Sequence, residues 1–177
     1  MPRIKKLETR KQDILQAAFE CFAQFGYSKT SLDLIAQRTG ISRPLIYQHF
    51  KDKEDLFSCM MEDRFSERYN LAEQGLLSDL PKKDKLLNMV EIIVLKDWQL
   101  ISNSFSGPEF FSELFSTLPK LEEKYRKKFI QMASAVLQNQ ELAEVFRLAL
   151  SGLTTDNPTT TTLRKRIHIL IDCVCHP

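Results

Sequence analysis

Apolar side chains recur every three or four positions along most of this chain, which is the spacing of one buried face of an α-helix. In the N-terminal part this spacing predicts four successive helices that begin near Thr9, Thr30, Ser42 and Asp52. Each of these residues has a side chain that can cap a first helical turn by accepting a backbone hydrogen bond. The N-terminal part is therefore predicted to be a series of short helices.

Glycine and proline mark the ends of these helices. Gly26 and Gly40 follow the first two predicted helices, where glycine supplies the left-handed residue that ends a helix. Pro44 falls in the first turn of the third helix, where its missing N–H costs nothing.

The remainder of the chain continues the helical pattern, and no segment alternates long enough to predict a strand. A polar, threonine-rich stretch over 154–162 is predicted to be a loop. The predicted helices beyond Pro81 cover about 86–103, a segment that begins at Gly107-Pro108, and then about 119–137, 141–153 and 163–175. The predicted fold class is all-α.

Positive charge is concentrated at the N-terminal end, although the net charge is only +2. Residues 1–53 carry ten Lys or Arg against five Asp or Glu, and the rest of the chain carries fifteen against eighteen. A basic element joined to a weakly acidic remainder indicates that the N-terminal part faces a polyanion such as DNA.

Several other classes of function lack their sequence patterns here. The five glycines form neither a GxGxxG fingerprint nor a P-loop, and the three histidines form no HExxH pair. We therefore expect no enzyme, no cofactor and no metal site. No apolar run is long enough for a membrane span or a signal peptide, so we expect a cytoplasmic protein without a membrane partner.

The most informative segment runs from Thr30 to Lys53, with the sequence TSLDLIAQRTGISRPLIYQHFKDK. Two short helices joined by a tight turn that contains glycine are typical of a helix-turn-helix motif. The second helix of this motif lies in the major groove of DNA. Ile35, Ala36 and Ile41 are expected to pack the two helices together.

This segment resembles the signature of the TetR family of transcription regulators. ISRPLIYQHFKDKEDLF has the tyrosine, the His-Phe pair and a Lys-Glu-x-Leu run after the turn, as that family does, and FAQFGYSKTSLDLIAQRTG resembles the family's first two helices and their turn. The resemblance covers about residues 9–57. It implies an N-terminal three-helix DNA-binding domain at 1–53, followed by an all-helical dimerisation and ligand-binding domain at 54–177.

The resemblance also implies a set of residues that bind double-stranded operator DNA. Arg43 is expected to read a base edge, because a guanidinium can bond guanine through two hydrogen bonds. Tyr47, His49, Thr30 and Lys53 are expected to contact phosphates, Lys53 from the positive N-terminus of the fourth helix. The full predicted set is Thr30, Ser42, Arg43, Pro44, Leu45, Tyr47, Gln48, His49 and Lys53.

The last two predicted helices are implied to pair with the same helices of a second copy, which gives a homodimer. The same apolar faces could instead pack within one chain, and the sequence does not separate the two arrangements. The residues assigned to the dimer interface are Leu142, Val145, Phe146, Ala149, Leu163, Ile167, Leu170 and Ile171.

The central helices are rich in large apolar side chains, which in this family often line a cavity for an apolar inducer. The predicted function is accordingly a repressor that a small apolar ligand releases from DNA, although the same residues could be plain core. The residues assigned to the ligand are Met89, Trp98, Phe105, Phe111, Phe115, Tyr125 and Phe129.

Two alternative regulators share the same DNA-binding part. Cys173, Cys175 and His176 group soft ligands at the end of the sequence, with His168 nearby, so the protein could respond to a metal or an oxidant. The other alternative is a regulator that responds to no ligand.

Overall fold

The regular secondary structure of the described residues is helical, which confirms the predicted all-α class. Within this part of the chain, no helix has the length and apolarity needed to span a bilayer. The residues that the computed structural model describes are 2–102, 110, 113–114 and 116–175.

The chain forms two compact units. The first combines Met1–Arg64 with Asn103–Pro119, and the second combines Phe65–Ser102 with Lys120–Pro177. The predicted domain boundary after residue 53 lies inside the first unit, which continues to Arg64. Residue 53 is the first residue of helix α4 (Lys53–Leu76).

The first unit contains α1 (Pro2–Phe25), α2 (Leu32–Thr39), α3 (Arg43–Tyr47) and the first part of α4. Helix α1 begins before the predicted start at Thr9, because residues 3–8 contain no glycine or proline to oppose a helix. The largest fully buried side chains of this unit are Ile14, Phe22, Ile35, Ile46, Phe50, Leu56, Phe57, Met60 and Phe110.

The turns around α2 are fixed by one hydroxyl and one glycine. Ser31 caps the helix, since its Oγ accepts a hydrogen bond from the backbone N–H of Leu34 at 3.1 Å. Gly40 ends the helix at φ +66°, a left-handed conformation that glycine adopts without strain. The predicted cap at Thr30 is therefore wrong by one residue.

A segment from later in the sequence completes the core of the first unit. Phe110 is 1% exposed, and its ring centroid lies 6.1 Å from those of both Phe19 and Phe57. Leu114 is buried as well. The predicted helix that begins at Gly107-Pro108 lies partly outside the described residues.

The second unit is built from the rest of α4 and a further series of helices. The predicted helix at 86–103 is longer than expected and contains one π-helical turn, Glu91–Leu95. The remaining helices are α5 (Lys82–Val90), α6 (Lys96–Ile101), α7 (Pro119–Leu137), α8 (Gln140–Gly152) and α9 (Thr160–Cys175).

Two polar contacts lie inside the second unit. Arg68 and Asp97 form an ion pair at 2.7 Å, with 14% and 9% of their side chains exposed. The indole N–H of Trp98 donates to the carbonyl of Pro158 at 3.0 Å. The first contact connects two helices and the second connects α6 to the loop before α9, so both join segments that are distant in the sequence.

Candidate nucleic-acid interface

Helices α2 and α3 are joined by a three-residue turn and packed through their apolar sides. Ile35, Ala36 and Ile46 are buried, and the backbone N–H of Ile41 donates to the carbonyl of Ala36 at 3.1 Å. Ile41 itself is half-buried rather than fully enclosed. This packing holds α3 against α2 by one side only.

The opposite side of α3 is exposed. Ser42, Arg43, Pro44 and Gln48 lie in solvent, and Leu45 is half-buried. Tyr47 is 46% exposed, although tyrosine is a large and partly apolar residue. Six of the predicted DNA-binding residues are thus at least partly accessible around α3.

Arg43 is held by two neighbours on this surface. Its Nη1 donates to Oδ2 of Asp33 at 2.8 Å, and its Nη2 donates to the hydroxyl of Tyr47 at 3.1 Å. The hydrogen bond to Tyr47 and the negative charge of Asp33 raise the pKa of Arg43 above its ordinary value. The guanidinium is therefore a fully charged group with a defined orientation.

His49 lies at the C-terminal edge of α3 and is half-buried. Its Nε2 is buried and has no hydrogen-bond partner among the described residues. A phosphate contact by this side chain would therefore use Nδ1.

Thr30 does not present its side chain to this surface. The residue is 2% exposed, and its hydroxyl lies 2.7 Å from the carbonyl oxygen of Gly26 and 3.1 Å from that of Cys21. The predicted phosphate contact of Thr30 is wrong, because its hydroxyl satisfies buried carbonyls at the end of α1.

Lys53 also bonds within the protein. Its Nζ donates to the carbonyls of Tyr27 at 2.9 Å and Thr30 at 3.2 Å, and it lies 4.3 Å from the centroid of the Tyr27 ring. These bonds use two of the three donors of the ammonium group. A phosphate contact by Lys53 remains a prediction, with one donor left for it.

Glu113 is a residue of this region that the sequence did not indicate. Its carboxylate accepts hydrogen bonds from the backbone N–H groups of Tyr27 and Ser28 and from the hydroxyl of Ser28. The turn between α1 and α2 is thus held by a lysine on its carbonyls and by a glutamate on its N–H groups.

The residues assigned to a ligand are enclosed wherever the structure describes them. Met89, Trp98, Tyr125 and Phe129 are all buried in the second unit. Tyr125 contacts Phe65 and Tyr69 at centroid distances of 4.9 and 4.8 Å. The other three assigned residues, Phe105, Phe111 and Phe115, lie outside the described residues.

A cleft of about 230 Å³ lies elsewhere in the second unit. It is formed by α5 and the π-helical turn that follows it on one side and by α9 on the other. An ion pair between Arg164 and Glu91 crosses it at 2.5 Å. None of the four predicted ligand residues that the structure describes lines this cleft. Its lining residues are Leu87, Asn88, Glu91, Leu95, Arg164, Ile167 and His168.

Half of the predicted dimer residues lie in the core of the chain itself. Phe146, Leu163, Ile167 and Ile171 are at most 1% exposed, so their assignment to an interface is wrong. Leu142, Ala149 and Leu170 are half-buried, and Val145 is 59% exposed. The exposed apolar residues that the prediction missed on α8 and α9 are Leu148 and Ile169, at 60% and 64%.

Known proteins share both the local motif and the whole fold. Residues 14–60 match the family model described as bacterial regulatory proteins of the tetR family. An uncharacterized HTH-type transcriptional regulator of Bacillus subtilis, YhgD, is 38% identical over 72 residues, which cover 41% of this chain and 38% of that protein. The HTH-type transcriptional repressor AcnR of Corynebacterium efficiens is 30% identical over 129 residues, covering 70% of this chain and 65% of that protein.

Similarity to solved structures extends over nearly the whole chain. A transcriptional regulator from Rhodococcus sp. Rha1 superposes with a TM-score of 0.75 at 16% identity, covering 93% of this chain and 95% of that one. The fold and the exposed α3 surface define an all-helical helix-turn-helix protein. Residues 14–60 match the TetR family of regulatory proteins, and the rest of the chain shares the fold of the solved transcriptional regulator. The sequence matches of this chain span less than two thirds of the two curated relatives described above.

Proposed function

We propose that the protein is a sequence-specific DNA-binding regulator of transcription that reads the major groove with α3. The observation that carries this proposal is the exposure of Arg43, Tyr47 and Gln48 on a helix anchored from behind by buried Ile46 and Phe50. A guanidinium, a phenol and an amide suit a surface that meets phosphates and base edges. The basic charge of residues 1–53 supports the same partner.

The proposed effect on transcription is repression. The relative from Corynebacterium efficiens is itself named a repressor, and a protein bound over a promoter obstructs the polymerase. As part of the same proposal, the protein acts in the cytoplasm, because bacterial DNA lies there.

The proposed active form is a homodimer. Helix α3 has only five residues, so one copy meets few base pairs, and two copies one helical turn apart are the usual solution. The exposed apolar side chains of Val145, Leu148 and Ile169 on α8 and α9 support pairing through these helices. Apolar area of this kind is stabilised by burial against a second copy.

The proposed signal is a small apolar molecule that enters the aromatic interior of the second unit. Phe65, Tyr69, Tyr125 and Phe129 provide side chains that can repack around such a molecule. The molecule would weaken DNA binding only to the extent that it prefers the repacked state. If no compound in a panel of alkanols, fatty acids and aromatic hydrocarbons changes the DNA affinity, the regulator works without an apolar ligand.

A metal or oxidant signal through the last helix has less support. Cys173 and Cys175 are two positions apart on α9, and side chains at this spacing do not face each other. Burial raises the pKa of the Cys175 thiol, which disfavours the thiolate that binds metals and reacts with oxidants.

The test is selection of bound sequences from a pool of random duplexes, followed by titration of the recovered duplex. The wild-type protein should enrich a two-fold symmetric sequence, and Arg43→Ala should lose most of that enrichment. Arg126→Ala is the matched control, because Arg126 is a partly exposed arginine on α7 in the second unit. The proposal fails if the wild type enriches nothing, or if both variants bind the duplex as it does.

A further inference from the structure

The partner of Arg43 on the proposed reading surface is an acidic residue, although this surface faces a polyanion. Asp33 lies in the first turn of α2 and holds Nη1 of Arg43 at 2.8 Å. On its other side, Arg43 donates to Tyr47, and the Arg43 guanidinium carbon lies 5.6 Å from the centroid of that ring. Asp33 and Tyr47 together fix the direction in which the guanidinium points.

The fold itself does not need this ion pair. The side chains of Asp33 and Arg43 remain 63% and 50% exposed, and exposed ion pairs contribute little to stability. The N-terminus of α2 is already capped by Ser31. The ion pair should therefore affect how Arg43 binds DNA and not how stable the fold is.

We propose that Asp33 is a specificity-determining residue, which positions Arg43 for base reading and withholds it from the phosphates of unrelated DNA. This inference rests on the proposed DNA-binding function. An arginine without a partner would bond to the phosphates of any duplex, and such contacts carry no sequence information. A carboxylate beside the guanidinium repels those phosphates and competes with them for the same donors.

The ion pair leaves enough of the guanidinium for recognition. Arginine has five N–H donors, and the bonds to Asp33 and Tyr47 use two of them. A bidentate contact to guanine needs two of the remaining three. Arg43 can therefore read a base without leaving Asp33, whereas a phosphate at the same donors carries a full negative charge that the carboxylate repels.

The decisive variant is Asp33→Ala, which removes the carboxylate and leaves the Ser31 cap of α2 in place. Asp13→Ala is the control, because Asp13 is an exposed aspartate on α1 and its loss changes the net charge equally. Asp33→Glu restores a carboxylate at the same position. Affinity is measured by fluorescence anisotropy at several salt concentrations, with a random duplex and with the duplex that the wild-type protein selects.

Asp33→Ala should bind the random duplex more tightly than the wild type does. Its preference for the selected duplex over the random one should fall about tenfold, which is the effect of losing one good base contact. Its salt dependence on the random duplex should steepen by about 0.9 in log–log slope, because Arg43 then neutralises one more phosphate. Asp13→Ala should leave the slope unchanged, and Asp33→Glu should restore most of the preference.

The same substitution in an Arg43→Ala background shows whether Asp33 acts through Arg43. We expect the change of slope to disappear there, since no guanidinium is released. If the change persists, or if Asp13→Ala and Asp33→Ala act equally, the effect is one of net charge and the inference is wrong. If the wild type selects no sequence, the proposed function itself fails, and the inference fails with it.

Discussion

The carboxylate of Glu113 accepts a hydrogen bond from the backbone N–H of Tyr27 at 2.5 Å, although the two residues are 86 positions apart in the sequence. The same carboxylate also accepts the N–H and the hydroxyl of Ser28. These N–H groups belong to the turn that joins α1 to α2, where they have no partner within a helix. A residue from a late segment therefore sets the geometry of a turn directly before the proposed reading helices.

Replacing Glu113 should destabilise the first unit. In Glu113→Gln the negative charge is lost and only one oxygen remains as acceptor, so we expect the free energy of unfolding to fall by about 1 kcal/mol. Urea denaturation measures this change. Glu67→Gln is the control at an exposed position of α4 in the second unit, and equal losses in the two variants would contradict a special role for Glu113.

Lys53 should act on stability rather than on phosphate binding. Lys53→Met removes two bonds to the carbonyls of Tyr27 and Thr30, and we expect a loss of about 1 kcal/mol in the free energy of unfolding. The salt dependence of DNA binding should stay as in the wild type. The exposed Lys51 offers the comparison as Lys51→Met. A slope that becomes shallower by about 0.9 in Lys53→Met would instead support the phosphate contact expected from the sequence.

The proposed dimer predicts a specific change of molecular mass. Leu148→Glu and Ile169→Glu each place a charge on the exposed apolar faces of α8 and α9, and each should convert the dimer to a monomer at micromolar concentration. Light scattering measures the mass. Leu77→Glu is the matched control, because Leu77 is 84% exposed but lies on neither helix. A dimer that survives both substitutions does not use these faces.

Alkaline unfolding should depend on Tyr69. Burial raises the pKa of Tyr69 above its ordinary value of 10, so the folded protein holds the neutral phenol. This contribution to stability is fully present below pH 10, and it is lost as the pH rises further, by about 1.4 kcal/mol per unit. Tyr69→Phe cannot ionise at this position and should unfold at a higher pH than the wild type. Circular dichroism across a pH series measures the unfolding. Tyr47→Phe, at the exposed tyrosine of α3, should unfold at the wild-type pH.

Much of the helix-turn-helix could be predicted from the sequence because local chemistry decides it. Gly40 ends α2 in the left-handed conformation that glycine adopts without strain, and Ser42 is the residue before α3, although its hydroxyl makes no cap hydrogen bond. The predicted cap of α2 at Thr30 is wrong by one position. Thr30 and Ser31 are adjacent hydroxyl residues that can both cap a helix, and the packing at the end of α1 turns Thr30 inward.

The rest required contacts that the sequence does not encode locally. Glu113 reaches Ser28 across 85 positions, and no periodicity connects them. On α8, the buried Phe146 and the exposed Leu148 are both large apolar residues. The sequence of a helix with two apolar sides does not show which side packs within its own chain. The predicted dimer residues therefore included both buried and exposed positions.

The central claim is that the exposed side of α3 lies against DNA bases. The most direct measurement is photo-cross-linking from a benzoylphenylalanine placed at Gln48, with a second protein labelled at Gln131 on α7; both positions are exposed. With the duplex selected by the wild-type protein, the label at Gln48 should cross-link to bases of the selected sequence, and the label at Gln131 should not. Cross-links from Gln131 together with none from Gln48 would contradict the account.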